Sequence, residues 1–179
     1  RCGPYRRCAL DFALGEKGDP YDEKAVKLVF SVHGVDINTT NSTGRTALLI
    51  ECSMGRSRNV ELLLADPRVD VNQVRDTGAS PLLTAANNGR DRCVKLLLAD
   101  PRVDANHVNL KGESPLYVAA NLGKDRCLEP LLADDRVDVC LPCANGQTPL
   151  LSACIYLMTS MDQVGAVESN DPTGCLVLM

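Results

Sequence analysis

The chain of 179 residues contains no tryptophan, two phenylalanines and four tyrosines, too few aromatic rings to form platforms on which nucleic-acid bases stack. It also lacks an excess of positive charge. Nineteen Lys and Arg against twenty-three Asp and Glu leave a formal net charge of −4, so there is no electrostatic footprint for a phosphate backbone. Nucleic acid is thus excluded from the expected partners. No apolar run approaches the roughly 18 residues that a membrane span needs, and no basic-then-apolar leader opens the chain, so a soluble protein without a membrane partner is expected. Its first residue is Arg1 rather than Met, which reads as an excised or processed segment.

Histidine is equally scarce. His33 and His107 fall in separate loops with no Ser or Cys beside them as a nucleophile, so both are expected to be solvent-exposed and the chain to have no catalytic activity. The nine cysteines are odd in number and follow no framework spacing. Cys52, Cys93, Cys127 and Cys154 sit within apolar helical patterns, where thiols act as small buried side chains, and this points to a reducing, intracellular compartment, cytoplasmic or nuclear. The N-x-T sites at Asn38 and Asn41 would matter only in a secreted protein.

What the sequence has is repetition. LLLADPRVD occurs at 62–70 and again, letter for letter, at 96–104, with LLADDRVD following at 131–138. The copies are 34 residues apart, and Gly44, Gly78, Gly112 and Gly146 keep the same period, heading GRTALL, GASPLL, GESPLY and GQTPLL. VDIN, VDVN, VDAN and VDVC recur with them. A period between 20 and 50 residues marks a stacked array, each unit being one supersecondary piece.

Within a unit, Ser80 is a good N-cap and Pro81 suits the first helical position, where its missing N–H would have had no partner. The first helix closes at Gly89, which can adopt a left-handed conformation. Asp91 is placed to cap a second helix, RCVKLLLA, that stops at Asp100 and Pro101. An extended, turn-rich connection follows, with Gly112 at its tip. Two helices of about eight residues cannot persist alone in water, since isolated helices below about 12 residues are marginal. They must stack. Ala85, Ala86, Ala119 and Ala120 allow close approach, and Leu82, Leu97, Leu116 and Leu131 fill the space between layers.

These units resemble ankyrin repeats. The family pattern is matched at Gly78, Ser80, Pro81, Leu82, Ala85, Ala86, Gly89, Val94, Leu96, Leu97, Asp104 and Asn106, and the match is strong over residues 35–151. A degenerate leading unit is read in residues 8–34, where AVKLVF at 25–30 stands one period before NVELLL. The resemblance implies an all-α solenoid of helix pairs with β-hairpin-like loops on one side, binding a protein partner without cofactor or metal, as a monomer in isolation. A single domain over 1–179 is expected, with the degenerate repeat at 1–34, full repeats at 35–68, 69–102 and 103–136, a partial one at 137–161 and an irregular tail at 162–179.

The chain departs from the family in four ways. Its period is one residue longer, with the extra residue in ADPRV, where a loop absorbs it. The usual His after Thr-Pro-Leu is replaced by Leu49, Leu83, Tyr117 and Leu151, so a local hydrogen bond must be absent or replaced. Pro130 stands where Leu62 and Leu96 stand, inside a second helix, and should kink or loosen it. Leu157 replaces the closing glycines Gly55, Gly89 and Gly123, so the regular pattern should end near Tyr156.

The resemblance further implies that hairpin tips and the inner face of the first helix meet the partner. By position these residues are Ser42, Thr43, Arg45, Ser53 and Met54; Asp76, Thr77, Ala79, Asn87 and Asn88; Leu110, Lys111, Glu113, Asn121 and Leu122; and Ala144, Asn145, Gln147, Ile155 and Tyr156. Hydroxylation of hairpin asparagines in the family extends by position to Asn72 and Asn106. An alternative is a metal- or redox-responsive site at the C-x-x-C of Cys140 and Cys143; only Cys154, Cys175 or the two histidines could supply the two further ligands a metal needs and there is no second C-x-x-C, so the pair reads more simply as substitution in a decayed terminal repeat. A second alternative is a structural spacer within a larger chain. The acidic DPYDE at 19–23 reads as a solvated loop, and the terminal CLVLM has its Cys175 one residue too far from the end for a prenylation box.

Overall fold

The computed structural model describes residues 36–41 and 43–165, with the backbone alone from 161 onward. Among the described residues lie seven helices and no strand: α1 (Ala47–Met54), α2 (Ser57–Leu64), α3 (Pro81–Asn87), α4 (Asp91–Ala99), α5 (Pro115–Asn121), α6 (Asp125–Leu132) and α7 (Pro149–Gly165). The first helices α1, α3, α5 and α7 pack side by side in chain order, and α2, α4 and α6 do the same behind them. Each first helix through α5 also packs on the second helix of its own unit. The array is therefore a two-layer helical stack. The leading unit in 8–34, His33, the 19–23 loop, Ser42 and the tail around Cys175 lie outside the described residues.

The helices start where the capping chemistry places them. Thr46, Ser80 and Ser114 each accept a hydrogen bond at the side-chain oxygen from the backbone N–H three residues on, and Pro81 and Pro115 hold the first helical position. The second helices begin differently. Arg90, not Asp91, is the N-cap of α4 and makes no side-chain cap bond, while Asp91 is the first helical residue. There its carboxylate acts on the helix dipole rather than on a particular N–H.

Burial follows the repeat. Leu82, Leu97, Leu116 and Leu131 are buried between layers, and Ala85, Ala86, Ala119 and Ala120 are buried with them. Cys52, Cys93 and Cys127 are buried free thiols as expected, but Cys154 is exposed. The position is the same one that Cys52, Ala86 and Ala120 bury. It is open here because α7 has no second helix behind it among the described residues. With Leu157 in place of glycine, nothing turns the chain after Tyr156, and the last helix continues to Gly165. Its Leu150, Leu157 and Met158 are exposed.

Pro130 leaves α6 continuous from Asp125 to Leu132. It can remove only the single bond its own N–H would have made to Arg126, while Cys127 and Leu131 stay fully buried on either side and Ala133 N–H reaches Glu129 O. Packing therefore outweighs the local cost.

The repeated nonapeptide has a structural role in every described copy. Asp66, Asp100 and Asp134 each grip the guanidinium two residues on, Arg68, Arg102 and Arg136, at 2.6 to 2.7 Å. Arg102 also donates to Leu64 O, 2.8 Å away at the end of α2, and Arg136 donates to Leu98 O in α4. Arg102 and Arg136 thus place their charge at the carbonyl end of the preceding layer's second helix, where the helix dipole favours a cation. Asparagines complete the seam. Asn38, Asn72 and Asn106 donate to the carbonyls of Arg68, Arg102 and Arg136 and accept from the N–H of Asp70, Asp104 and Asp138, at 2.7 to 2.9 Å. Cys140 stands where the next asparagine would, and the ladder stops there.

Candidate functional site

Between units the chain forms short fingers. In the finger of the third unit, Asn109 N–H donates to Glu113 O, Gly112 N–H donates to Asn109 O, and the Asn109 side-chain oxygen accepts from Lys111 and Glu113 N–H. Asn41 does the same in the first finger, accepting from Thr43 and Arg45 N–H at 2.9 and 3.0 Å. These are hairpin-like turns held by hydrogen bonds, with no strand in them. Successive fingers are joined by Leu110 N–H to Thr77 O at 3.2 Å and Ala144 N–H to Lys111 O at 3.1 Å. Gly78 lets them approach: a Cβ there would lie 3.0 Å from Leu110 N, and its φ is +74°.

The second finger breaks this pattern. Its turn-closing position is Arg75, and a guanidinium has no acceptor to offer the backbone. The finger closes through backbone bonds alone, Arg75 N–H to Ala79 O and Gly78 N–H to Arg75 O. Released from the turn, the Arg75 side chain leaves its Nε buried without a hydrogen-bond partner. A second departure lies on α3. Thr84 occupies the position of Ile50 and Val118 in the neighbouring units, is 6 % exposed, and its Oγ1 also has no partner.

These two residues line one cavity. It has a volume of about 120 Å³ and its remaining walls are Arg45, Leu49, Ser53, Asn87 and Asn88. The structure therefore brings together four of the sequence-predicted residues, Arg45, Ser53, Asn87 and Asn88, from a finger and the ends of two first helices. Arg75 and Thr84 were missed. Their signal was present in the period, as an arginine aligned with Asn41 and Asn109 and a hydroxyl aligned with Ile50 and Val118.

The other predicted residues spread along the same fingers and helix ends. Asp76, Thr77, Leu110, Lys111, Asn121, Asn145 and Met54 are exposed, as are Leu122, Ile155 and Tyr156. Ala79 is buried, because the residue after the finger glycine turns inward toward Leu83 and Tyr117. Some are tied down: Asn121 Oδ1 accepts from Ser152 at 2.9 Å, Gln147 Oε1 accepts from the Tyr117 hydroxyl at 2.9 Å, and Glu113 accepts from Asn109 at 2.7 Å. Tyr117 thus replaces the family histidine's local bond with one reaching the next unit. Tyr156 lies over Gly123, where any Cβ would collide with its ring.

His107 is half-buried rather than solvent-exposed, with Nε2 3.0 Å from Gly78 O. It helps fix one finger on the next. Cys140 is exposed and Cys143 buried, and among the described residues no group of three His, Cys, Asp or Glu is placed to hold a metal ion. A larger, open hollow of about 420 Å³ lies between the ends of α2 and α4, lined by Glu61, Leu64, Leu96 and the 99–102 loop. None of the predicted residues lines it. No described helix is long and apolar enough to cross a membrane.

A family model described as ankyrin repeats in three copies matches residues 16–106 and 93–164. No curated protein matches the chain.

Proposed function

Since the chain belongs to the ankyrin-repeat family, whose members generally mediate protein–protein interaction, we propose that it is an adaptor, scaffold or regulatory module that holds a protein partner along its fingers and first-helix ends. The family is typically non-catalytic, and the reading assigns this chain no reaction. The observation that supports it is the cleft into which finger residue Arg45 and helix-end residues Ser53, Asn87 and Asn88 converge. Exposed side chains of varied chemistry, Thr77, Leu110, Lys111, Asn121 and Asn145, continue the surface beside it. Because a preformed helical stack carries these groups, binding orders little backbone and loses little entropy.

The test is capture of partners from native lysate with the parent chain and with Lys111→Glu, Asn121→Asp and Asn145→Asp combined, three positions outside the cavity. Loss of the captured protein at an unchanged melting temperature is expected. Capture that is indifferent to the three changes moves the site elsewhere, and an empty capture with the parent chain favours a structural spacer.

A further inference from the structure

The cavity beneath the second finger holds two buried side-chain donors without a partner, Arg75 Nε and Thr84 Oγ1, while Asn88 in its wall already donates to Thr84 O at 2.8 Å. Arg45 and Arg75 are guanidinium groups, which donate and never accept, and among the described residues neither is in an ion pair. The carboxylate of Asp76, next in the chain to Arg75, lies against Gly44. Thr84 adds a hydroxyl, 94 % buried by its 6 % exposure and without a partner. A buried unsatisfied donor is costly to keep, and this layer keeps two where its neighbours have a turn-closing asparagine and an aliphatic side chain.

We propose that this cavity is a carboxylate-binding subsite that receives an Asp or Glu side chain of the bound protein segment. The proposal rests on the interaction reading above. A planar two-oxygen anion matches the fork of a guanidinium, which pairs with it through two parallel hydrogen bonds. The volume of about 120 Å³ is well above the roughly 10–15 Å³ of cavity that one water needs. A carboxylate and its methylene stem fit that space, and Leu49, 1 % exposed, supplies an apolar wall for the stem. The bound anion would satisfy Arg75 Nε and Thr84 Oγ1 and set one negative charge against the two guanidinium groups of the lining.

The test is an NMR titration of the full chain with N-acetyl-glutamate amide, N-acetyl-glutamine amide and inorganic phosphate in separate arms. The glutamate probe should give saturable shifts at the Arg75 Nε–H and the Thr84 amide, while the glutamine probe and phosphate give none there. Arg75→Asn installs the residue that closes the neighbouring fingers, so it should fold at least as well as the parent while weakening the glutamate probe by about tenfold or more. Thr84→Val, which installs the residue of Val118, should weaken it by a smaller factor. Absence of saturation, equal shifts with glutamine, binding of phosphate alone, or binding that survives Arg75→Asn overturns the subsite. If the pocket signal fails while partner capture still depends on Lys111, Asn121 and Asn145, only the subsite falls. If the signal holds and capture ignores those three residues, only the interaction reading falls.

Discussion

Asp100 holds the guanidinium of Arg102 by both carboxylate oxygens, Oδ2 to Nη2 at 2.6 Å and Oδ1 to Nε at 3.0 Å, while the same Nη2 reaches the Leu64 carbonyl of the preceding layer. One residue pair thereby shapes its own loop and joins two units. Arg102→Lys keeps the charge and loses the planar fork. Because the arginine side chain is about one-third exposed, the expected loss is modest, about 1 kcal/mol in urea unfolding. A double-mutant cycle with Asp100→Asn should show coupling between the two, and additive effects would disprove the shared role.

The asparagine ladder predicts a more localised effect. Asn106 donates to Arg136 O and accepts from Asp138 N–H, both at 2.7 Å. Asn106→Ala removes both bonds at a seam open to solvent, where water can take over part of the pairing, and should cost about 1 kcal/mol. Amide hydrogen exchange at Asp138 should accelerate more than at Asp104, whose partner Asn72 is untouched.

Glu51 is buried in α1 at the position where Ala85 and Ala119 pack in later units. Burial pushes its carboxyl up from 4.5 to about 7, against the opposing hydrogen bond from Asn59. The folded chain therefore keeps this proton over a range where the unfolded chain has released it, and stability falls as pH rises from 4.5 towards 7. The full shift corresponds to roughly 3 kcal/mol. Glu51→Gln should flatten that pH dependence; melting curves across the range with an unchanged slope would contradict it.

Pro130 denies α6 one backbone bond. Pro130→Leu restores the residue found at Leu62 and Leu96 and should stabilise the chain, by up to about 3 kcal/mol, with a higher urea midpoint and no change in the exposure of Leu131.

Thiol labelling separates the cysteines by layer. Burial raises the thiols of Cys52 and Cys127 above their usual value and that of Cys93 to about 11, so these three should react only on unfolding. Cys140 and Cys154 are exposed and should react in the native protein. Mass mapping of the labelled peptides reads the difference, and early labelling at Cys93 would contradict the stack.

A period of 34 residues, an N-cap before a proline and a glycine after an apolar helix were enough to locate the helices and say that they stack. That information is local, and in a repeat array each unit meets only its neighbours, so local consistency carries nearly the whole fold. The period also grouped Arg45, Asn87 and Asn88 by position, and the structure sets them around one cavity. The sequence could not show Asp91 inside α4 rather than capping it, Ala79 turned inward, His107 bonded to Gly78, or Cys154 left open, because each depends on what the adjacent layer presents. The cavity was decided by tertiary structure alone. Arg75 and Thr84 look like two unrelated substitutions in the chain, and only the stacking of α1 against α3 brings Arg45, Leu49 and Ser53 of the preceding unit over them, around a space that neither unit encloses by itself.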